Sequence, residues 1–583
     1  MKHDARAHAR RNAAAANRRA LIAARVSRRD LMKMGLLTSA GFLVPKNGLS
    51  ARASDGSNPQ SPPTRAFIEP LPMIPVKQPV AALTPAPTIA PNVAAGEGRT
   101  RSHQALARFP PAKLYEVHQK ALLASVSPDL PLQTIWGFDG LCPGPTYIAR
   151  YGEPILVRNF NELPAENGGF GLNEVSTHLH NGHTPSESDG FPCDFFRAGQ
   201  FYDQHYPNVL AGFDSTHPPT GDPNEALSTL WYHDHRVDFT SQNAYKGLAG
   251  FYLLFNDRDT GDETTGFRLP SGEFDVPLMV ADKVFDENGV MFFDLFNLDG
   301  ILGDKFMVNG KLQPFFQVHP RRYRFRILDG GPSRFYEFFL TDPDAPNTPL
   351  PFWQIANDGN LLPRPIQVTS VRLGVAERTD VVIDFSQLAG RSIILENRLE
   401  QTDGRGPTGK ILPAGQGNAL LRFDVVLPPV ADQSADPASI VKFYDLPPIE
   451  PPRVTRTFRF ERNNGQWAVN GRFFDCNEVR FRVQRNTAEK WVLQNNSGGW
   501  QHPIHIHFEE FQIGSRNGQP PPGVERSRKD VVRLQFNEEI TIFFRFRDFS
   551  GRYPMHCHNT VHEDHAMMVR WEIDDVGDLN SQP

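Results

Sequence analysis

The chain has 583 residues, of which 39% are hydrophobic, and its formal net charge is -5. This length allows several hydrophobic cores and suggests about three or four domains. The nearly balanced charge offers no global attraction to nucleic acid or to anionic lipid, which excludes a general nucleic-acid-binding role.

The N-terminal segment has the features of an export signal. Arg28 and Arg29 precede a short apolar run within 27–45, and the letters ARA at 51–53 offer a small-residue cleavage site. This pattern resembles a twin-arginine signal, which implies export by the twin-arginine machinery and a periplasmic or secreted location. The apolar run is shorter than the roughly 20 residues that span a bilayer, and no later segment approaches that length. We assign 1–53 to a signal peptide and expect no stable membrane insertion.

The next segment, 54–99, is rich in Pro, Ala and Ser. This composition is typical of a linker or an extended surface arm. After it, apolar alternation and turn residues dominate, and few apolar stretches have a helical period. The chain also contains 51 Pro, 46 Gly and 43 Phe. These features favour short strands joined by turns, and we predict an all-β protein.

The histidines carry most of the functional information because they concentrate in four clusters. The clusters are THLHNGH (177–183), WYHDH (231–235), HPIHIH (502–507) and HCHNTVH (556–562). A single His-x-His pair is weak evidence, since such pairs are more often solvated or hydrogen-bonded than bound to a metal. Four clusters in one chain, one of them containing a cysteine, need hydrogen-bond partners or a metal if they are buried together.

Strand geometry explains the spacing within the clusters. Side chains alternate between the two faces of a strand, so residues i and i+2 point the same way. Each His-x-His pair therefore faces one shared site, and the converging imidazoles suit about three metal ions with an open position for a small ligand. The eight histidines of this set are His178, His180, His233, His235, His505, His507, His556 and His558.

Cys557 lies between two of these histidines and has the opposite parity, so its metal must be a separate ion. His502 precedes His505 by three residues and also faces away from the cluster. Together with His562 they form a two-His, one-Cys set, and Met567 follows as a plausible weak axial ligand. This combination is the blue-copper arrangement, in which the axial group tunes the potential.

Other metals account for less of the pattern. A Cys/His zinc site normally has paired Cys-x-x-Cys spacing or a compact set of four ligands. Non-haem iron requires a two-His, one-carboxylate triad, which explains only part of the set. Copper accounts for all four clusters.

The motifs resemble those of the multicopper oxidases, closest to the bacterial spore-coat laccase and bilirubin oxidase group. The resemblance runs from about residue 110 to the end of the chain and implies three cupredoxin-like Greek-key β-sandwich domains. The segments that carry it are GLCPGPTY (140–147), STHLHNGHTPSESDGFP (176–192), LWYHDH (230–235), KGLAGFYLL (246–254), HPIHIH and MHCHNTVHEDHAMM (555–568).

We place the three domains at 100–257, 258–431 and 432–583. The first carries two of the histidine clusters and the third carries the other two, so we expect the ligand cluster between these domains. The middle domain has a single histidine, His319. We expect it to bind no copper and to act as a spacer that also shapes the substrate pocket.

By this resemblance the chain would bind four copper ions, one of type 1, one of type 2 and two of type 3. The type 2 ion would be held by His178 and His505. The type 1 ion would be held by His502, Cys557, His562 and, axially, Met567. The type 3 pair would be held by His180, His233, His235, His507, His556 and His558.

The implied reaction takes single electrons from a reducing substrate to the type 1 ion, relays them through Cys557, and reduces dioxygen by four electrons to water. Protons are consumed, and Asp189 and Glu563, which stand at family positions, are expected to deliver them. Phenols, aromatic amines, bilirubin-like tetrapyrroles and Mn(II) all remain open as donors. The alternatives are a metal-ion oxidase for Mn(II) or Cu(I), and a copper-resistance or copper-binding protein. We expect a monomer.

Four other polar residues receive structural interpretations. His183 and His565 are expected at the surface or behind the ligands. The adjacent Glu509 and Glu510 are expected to solvate a surface edge, although they could also serve a metal-ion donor.

Three cysteines remain once Cys557 is committed to copper. An oxidising compartment permits one disulfide among Cys142, Cys193 and Cys476. Sequence alone does not determine the connectivity. The pairing that we expect is Cys142 with Cys193.

Overall fold

A computed structural model describes residues 59–583, and these residues form 34 strands, two short α-helices and five 3-10 turns. The predicted all-β class is confirmed. The signal peptide predicted at 1–53 lies outside the described residues. Within 59–583, no helix is both long and apolar enough to cross a membrane. The helices are α1 (Thr240–Lys246) and α2 (Thr560–Asp564), and the 3-10 turns are Val93–Ala95, Pro223–Glu225, Gly272–Phe274, Pro437–Ser439 and Gly523–Glu525.

The first pair of sheets contains strands β1 to β10. They are β1 (Lys113–Ala124), β2 (Gln133–Phe138), β3 (Gly144–Arg150), β4 (Ile155–Asn161), β5 (Glu174–Val175), β6 (Thr177–His180), β7 (Phe196–Arg197), β8 (Phe201–Tyr206), β9 (Thr229–Asp234) and β10 (Ala249–Phe255). One sheet has the order β2-β1-β4-β8 and the other β3-β10-β9-β6, while β5 pairs with β7. Trp136, Val157, Leu230 and Tyr252 belong to the core between them.

The second pair of sheets contains strands β11 to β23. They are β11 (Asp275–Phe285), β12 (Met291–Phe292), β13 (Lys305–Val308), β14 (Lys311–Leu312), β15 (Phe315–Gln317), β16 (Arg322–Asp329), β17 (Tyr336–Thr341), β18 (Phe352–Asn357), β19 (Asn360–Val368), β20 (Ser370–Leu373), β21 (Arg378–Asp384), β22 (Ser392–Asn397) and β23 (Asn418–Asp424). The larger sheet has the order β14-β13-β11-β16-β21-β18-β19 with β12 beside β11, and the smaller has the order β15-β23-β22-β17-β20. Phe325, Phe338 and Phe423 lie in their common core.

The third pair of sheets contains strands β24 to β34. They are β24 (Val454–Asn463), β25 (Gln466–Val469), β26 (Phe481–Gln484), β27 (Thr487–Asn495), β28 (His502–Ile506), β29 (Phe511–Arg516), β30 (Arg528–Lys529), β31 (Val531–Leu534), β32 (Glu539–Phe546), β33 (Gly551–Cys557) and β34 (Met568–Asp574). The orders are β25-β24-β27-β32-β29-β30 and β26-β34-β33-β28-β31. In β32 every second residue is buried, namely Ile540, Ile542, Phe544 and Phe546. This period of two places one apolar face on the core.

The segment before β1 crosses all three pairs of sheets. Ser61 donates its backbone N–H to Asp304 Oδ2 at 3.0 Å, in the second pair. Val76 forms a parallel bridge with Thr146 on β3, in the first pair. Gln104 donates its Nε2 to the carbonyl of Ser550 at 3.0 Å, in the third pair. The described part of the Pro-rich segment is therefore an arm attached to the first and second pairs of sheets, and the chain that follows it reaches the third pair.

Candidate metal centre

Two pairs of adjacent strands bring the histidine clusters together. In the first pair of sheets β6 lies antiparallel to β9, with His178 opposite His233. In the third pair β28 lies antiparallel to β33, with His505 opposite His556. The other four cluster histidines lie on the same strands or directly after them: His180, His235, His507 and His558.

All eight imidazoles are buried in one cluster between the first and third pairs of sheets. Their ring nitrogens fall into three groups, and within each group the ligand atoms lie within 4.8 Å of one another. His180 belongs to two of the groups, which therefore share it. The groups are His178 with His180 and His505, His180 with His233 and His558, and His235 with His507 and His556.

Hydrogen bonds at the back of the rings leave the other nitrogen of each ring facing the cluster. His233 Nδ1 donates to the carbonyl of Asp234 at 2.8 Å. His505 Nδ1 donates to the carbonyl of Asp530 at 2.8 Å. The Nε2 atoms of both rings are buried without a hydrogen-bond partner. An outer hydrogen bond of this kind orients a ring and directs its lone pair, as in metal-ligating histidines.

A second set of ring nitrogens surrounds a position that only a cation can occupy. The Nε2 atoms of His235, His507 and His556 lie 3.2 Å from one another. The Nδ1 atom of each ring faces a carboxylate, so the protons belong on Nδ1 and the three Nε2 atoms are all acceptors. Three acceptors that face one another in a buried site need a positive ion between them. The histidine cluster therefore fits metal binding.

Burial also keeps the imidazoles of His233 and His505 in the metal-binding state. Desolvation, assisted by the neighbouring charge of His235, lowers the pKa of His233 to about 3. Desolvation and His556 place the pKa of His505 well below its usual range. A neutral imidazole is the form that binds a metal ion.

A separate sulfur-containing set lies on the other side of β33. Cys557 Sγ is 3.4 Å from His502 Nδ1 and 3.6 Å from His562 Nδ1. These two Nδ1 atoms lie 3.1 Å apart, and all three residues are fully buried. His502 Nε2 contacts Ser497 Oγ at 2.9 Å, and His562 Nε2 donates to the carbonyl of Asp299 at 2.8 Å. Both Nδ1 atoms are thus available beside the thiol, and the set fits one soft metal ion.

Met567 lies next to this set. Its carbonyl accepts the N–H of Cys557 at 3.1 Å, and its own N–H donates to the carbonyl of His562 at 3.1 Å. The residue is fully buried in the same core as Cys557. The structure therefore brings the predicted axial residue to the thiol and imidazole side of the centre.

Two carboxylates contact the rings at the back of the histidine cluster. Asp189 Oδ2 lies 2.8 Å from His507 Nδ1. Glu563 Oε1 lies 3.0 Å from His235 Nδ1, and its Oε2 lies 3.1 Å from His556 Nδ1. Both predicted acids therefore lie directly behind predicted ligands.

The surroundings of Asp189 and Glu563 shift their pKa values in opposite directions. Burial raises the pKa of Asp189 well above its usual range. Burial opposes ionisation of Glu563 too, but the adjacent His556 and His235 hold its pKa well below its usual range.

The loop of Asp189 approaches β6 closely at Gly190, where φ is 87° and a Cβ would clash with the strand backbone. This close approach requires glycine.

Sequence reasoning missed a third carboxylate and its partner. Asp530 Oδ1 lies 3.1 Å from His180 Nε2, and Arg378 on β21 holds both oxygens of this carboxylate. Neither residue stands at a ligand-type spacing from a histidine, so no pattern in the sequence marks them.

The structure decides between the two positions expected for His183 and His565, and it contradicts the solvated edge expected for Glu509 and Glu510. His183 and His565 are buried rather than at the surface, with His183 Nε2 at 2.8 Å from Asp548. Glu509 is also buried, and the side chain of Glu510 is 2% exposed and lies 3.4 Å from Arg528 Nη1. Arg547 contacts Glu509 and Arg528 contacts Glu510, so the two acids form no solvated edge.

The expected pairing of Cys142 with Cys193 is also wrong. The disulfide joins Cys193 to Cys476, across a sequence separation of 283 residues. Cys142 is a free thiol. The bond links the loop after Asp189 to the segment between β25 and β26, and this pairing depends on how the first and third pairs of sheets dock.

Comparisons with known proteins agree with this geometry. A family model described as Multicopper oxidase matches residues 446–576. The bilirubin oxidase of Albifimbria verrucaria is 35% identical over 521 residues, which cover 87% of this chain and 81% of the relative. The laccase of Bacillus subtilis (strain 168) is 31% identical over 522 residues, which cover 79% of this chain and 94% of the relative.

Solved structures agree with the fold. The crystal structure of a laccase from Pediococcus acidilactici Pa5930 matches with a TM-score of 0.68 at 23% identity, covering 90% of this chain and 97% of that chain. A structure of a multicopper oxidase from Aquifex aeolicus matches with a TM-score of 0.65 at 24% identity and covers 80% of this chain. These likenesses show the expected fold of three cupredoxin-like β-sandwich domains.

Proposed function

The chain belongs to the multicopper oxidase family, and on that premise we propose that it couples the one-electron oxidation of phenolic, aromatic amine or tetrapyrrole donors to the four-electron reduction of dioxygen to water. Laccase and bilirubin oxidase relatives show a laccase-like copper oxidoreductase that uses dioxygen as its acceptor. The observation that carries the proposal concerns the end of β33. There Cys557 of the buried thiol site stands between His556 and His558, which belong to the buried eight-histidine cluster.

We propose four copper ions, held by the residues that the sequence predicted. His502, Cys557 and His562, with the adjacent Met567, would hold the type 1 ion. His178 and His505 suit type 2, and the two three-histidine groups around them suit the type 3 pair. When bound, copper supplies one-electron redox chemistry and a binding position for dioxygen.

The protein supplies the path between the two sites. Cys557 is bonded through the backbone to His556 and His558, which belong to two different groups of the cluster. An electron that arrives at the thiolate therefore reaches the cluster through a few covalent bonds. Burial of all these side chains excludes bulk water from the path.

The electron entry site that we propose is the edge of His562. Its Nε2 donates to the carbonyl of Asp299, whose own side chain is 48% exposed. Trp467 packs on the ring of His562 with centroids 4.1 Å apart. A donor that reaches Asp299 is thus separated from the ligand ring by one backbone carbonyl.

The proton supply that we propose uses the two acids behind the ligands. Asp189 contacts His507, and Glu563 contacts His235 and His556 at Nδ1. Burial favours a proton on Asp189, whose Oδ1 has no hydrogen-bond partner, so Asp189 is the acid of the pair. Glu563 is held ionised by His556 and His235 and serves as the base that accepts and passes on protons.

We also propose export by the twin-arginine route to the periplasm or the medium, and a monomeric state. The paired arginines at 28–29 support the route. The Cys193–Cys476 disulfide supports an oxidising compartment.

A spectrum of the copper-loaded protein, combined with oxygen uptake, tests the proposed function. We expect an intense thiolate-to-copper band that Cys557→Ser abolishes, and oxygen consumption that depends on the donor. Comparing a phenol, a tetrapyrrole and Mn(II) then separates the organic oxidase from the metal-ion oxidase. A blue protein that consumes no oxygen with any donor would instead support copper binding or storage.

A further inference from the structure

The middle pair of sheets contributes a buried arginine to the back of the histidine cluster. Arg378, at the start of β21, is fully buried. Its Nη1 and Nη2 atoms donate to the two oxygens of Asp530 at 2.7 and 2.6 Å. This bidentate geometry is the strongest form of an arginine–carboxylate contact and fixes the carboxylate in its plane.

The same guanidinium joins all three pairs of sheets. Its Nε donates to the carbonyl of Thr229 at 3.2 Å, on the strand that carries His233. Asp530 belongs to the third pair of sheets, directly before β31, and Arg378 itself belongs to the second. Displacing this side chain would therefore loosen contacts on both sides of the cluster.

Asp530 in turn holds two cluster histidines by different atoms. Its Oδ1 lies 3.1 Å from His180 Nε2, and its backbone carbonyl accepts from His505 Nδ1 at 2.8 Å. Because the Arg378 guanidinium donates to both oxygens of Asp530, the carboxylate is paired as an anion and its Oδ1 accepts from His180, which places the proton of His180 on Nε2. Nδ1 of His180 is then the lone-pair nitrogen, and it is buried without a hydrogen-bond partner.

The ring of His180 is thereby turned the opposite way from its neighbours. His233 and His505 donate through Nδ1 and leave Nε2 towards the cluster, whereas His180 donates through Nε2. His180 is also the residue that two of the three ligand groups share. The orientation of this one ring therefore affects both groups.

A further acid holds Asp530 from the backbone side. Asp358 Oδ2 accepts the N–H groups of Asp530 and Val531 at 3.0 and 3.1 Å. Asp358 Oδ2 also pairs with Lys529 Nζ at 3.0 Å, and both residues are buried. The side chain and the backbone of Asp530 are each fixed by the middle pair of sheets.

We infer that Arg378 and Asp530 are positioning residues of the metal centre, through which the middle domain sets the tautomer and orientation of His180 and the place of His505. This inference rests on the proposed function, because it concerns ligands of that centre. The middle domain is therefore more than a spacer, although the residues described above as ligands all lie outside it.

The test compares Arg378→Met with Arg324→Met. Arg324 is an equally buried arginine on the neighbouring strand β16, and its partners are Asp259, Asp380 and Ser228. None of these partners is a candidate ligand. The readouts are copper bound per chain, the paramagnetic resonance signal of type 2 copper, and the blue band of the type 1 site.

We expect Arg378→Met to lower the copper affinity of the histidine cluster by about 10- to 100-fold and to change or remove the type 2 signal, since outer partners of metal ligands have effects of this size. The blue band should persist and report that the protein is folded. Arg324→Met should lower stability but keep the copper count and the type 2 signal.

A second variant keeps the inference open to refutation. If Arg378→Met does not fold, the isosteric Asp530→Asn replaces it. The amide keeps one oxygen, which His180 and the guanidinium share, and loses the second acceptor for the guanidinium. We expect a smaller loss of copper affinity and of the type 2 signal, with the blue band retained. A wild-type copper count and type 2 signal in the folded variant would overturn the inference. Failure of the proposed function would give a different result, because the wild-type protein itself would then lack the copper count and the type 2 signal.

Discussion

Cys557 shows how a single position in a strand separates two candidate metal sites. Its side chain points towards His502 and His562, while the residues on either side of it join the histidine cluster. The alternation of a strand predicts this division from sequence alone, because it is a local property. The same reasoning could not find Asp530, whose contact with Arg378 spans 152 residues of sequence and depends on domain docking.

Glu563 provides the first test at this scale. Replacing it with Gln removes the charge that His235 and His556 face, while the size of the side chain is retained. We expect the blue band to be unchanged and turnover to fall by about 10- to 100-fold, since proton transfer and ring orientation both weaken. Turnover with a phenolic donor measures the effect.

The matched control for this prediction is Asp564→Asn. Asp564 follows Glu563 on the same helix, but its carboxylate contacts Ser241 on α1. Its activity should stay near the wild-type value. Wild-type turnover in Glu563→Gln would contradict the assigned role.

His205 gives a prediction about acid stability. Burial, assisted by the neighbouring His103, lowers the pKa of His205 from 6.5 to about 4. As the pH falls, His205 is protonated in the unfolded chain before it is protonated in the folded protein. The free energy of unfolding is therefore highest above pH 6.5 and decreases as the pH falls towards 4. The loss is roughly 3 kcal/mol for this one group.

Urea unfolding of metal-free protein at several pH values tests this prediction. In His205→Gln the dependence of the unfolding free energy on pH should be shallower between pH 6.5 and 4 by the contribution of about one proton. Identical slopes for the variant and the wild-type protein would rule out His205 as a source of acid sensitivity.

Among the elements, the loops after β6 and β25 are joined by the Cys193–Cys476 disulfide. The two half-cystines pack with Phe191, Phe474, Ala566 and Met568 in one apolar cluster. Ala566 and Met568 flank the candidate axial residue, and Phe191 follows the loop of Asp189. The disulfide thus ties together two segments that approach the metal centre from different domains.

Removing this cross-link should lower stability without removing a copper ligand. We expect Cys476→Ser to reduce the free energy of unfolding by about 2 to 4 kcal/mol, mainly because the unfolded chain gains freedom. Urea denaturation of the copper-free protein measures the change. Cys142→Ser is the control, because Cys142 is a free thiol, and it should change stability less. Equal effects of the two substitutions would contradict a stabilising role for the disulfide.

For the whole molecule, the sequence predicts the class of fold and the ligand pattern better than the contacts between domains. Alternation in strands such as β32 and the four histidine clusters are readable within a few residues. The cysteine pairing and the burial of Glu509 and Glu510 are not, because their partners come from distant strands. The expectation that the middle domain acts as a spacer that also shapes the substrate pocket did not include Arg378, since no local pattern marks a contact across 152 residues.

The central claim is that electrons from an organic donor pass through the thiolate of Cys557 to a dioxygen-reducing histidine cluster. The most direct measurement is the ratio of donor oxidised to dioxygen consumed by the copper-loaded protein, with peroxide assayed in parallel and Cys557→Ser as the control. We predict four one-electron donor oxidations for each dioxygen, no released peroxide, and no steady consumption by the variant. A ratio of two with peroxide as product, or undiminished consumption by Cys557→Ser, would contradict the account.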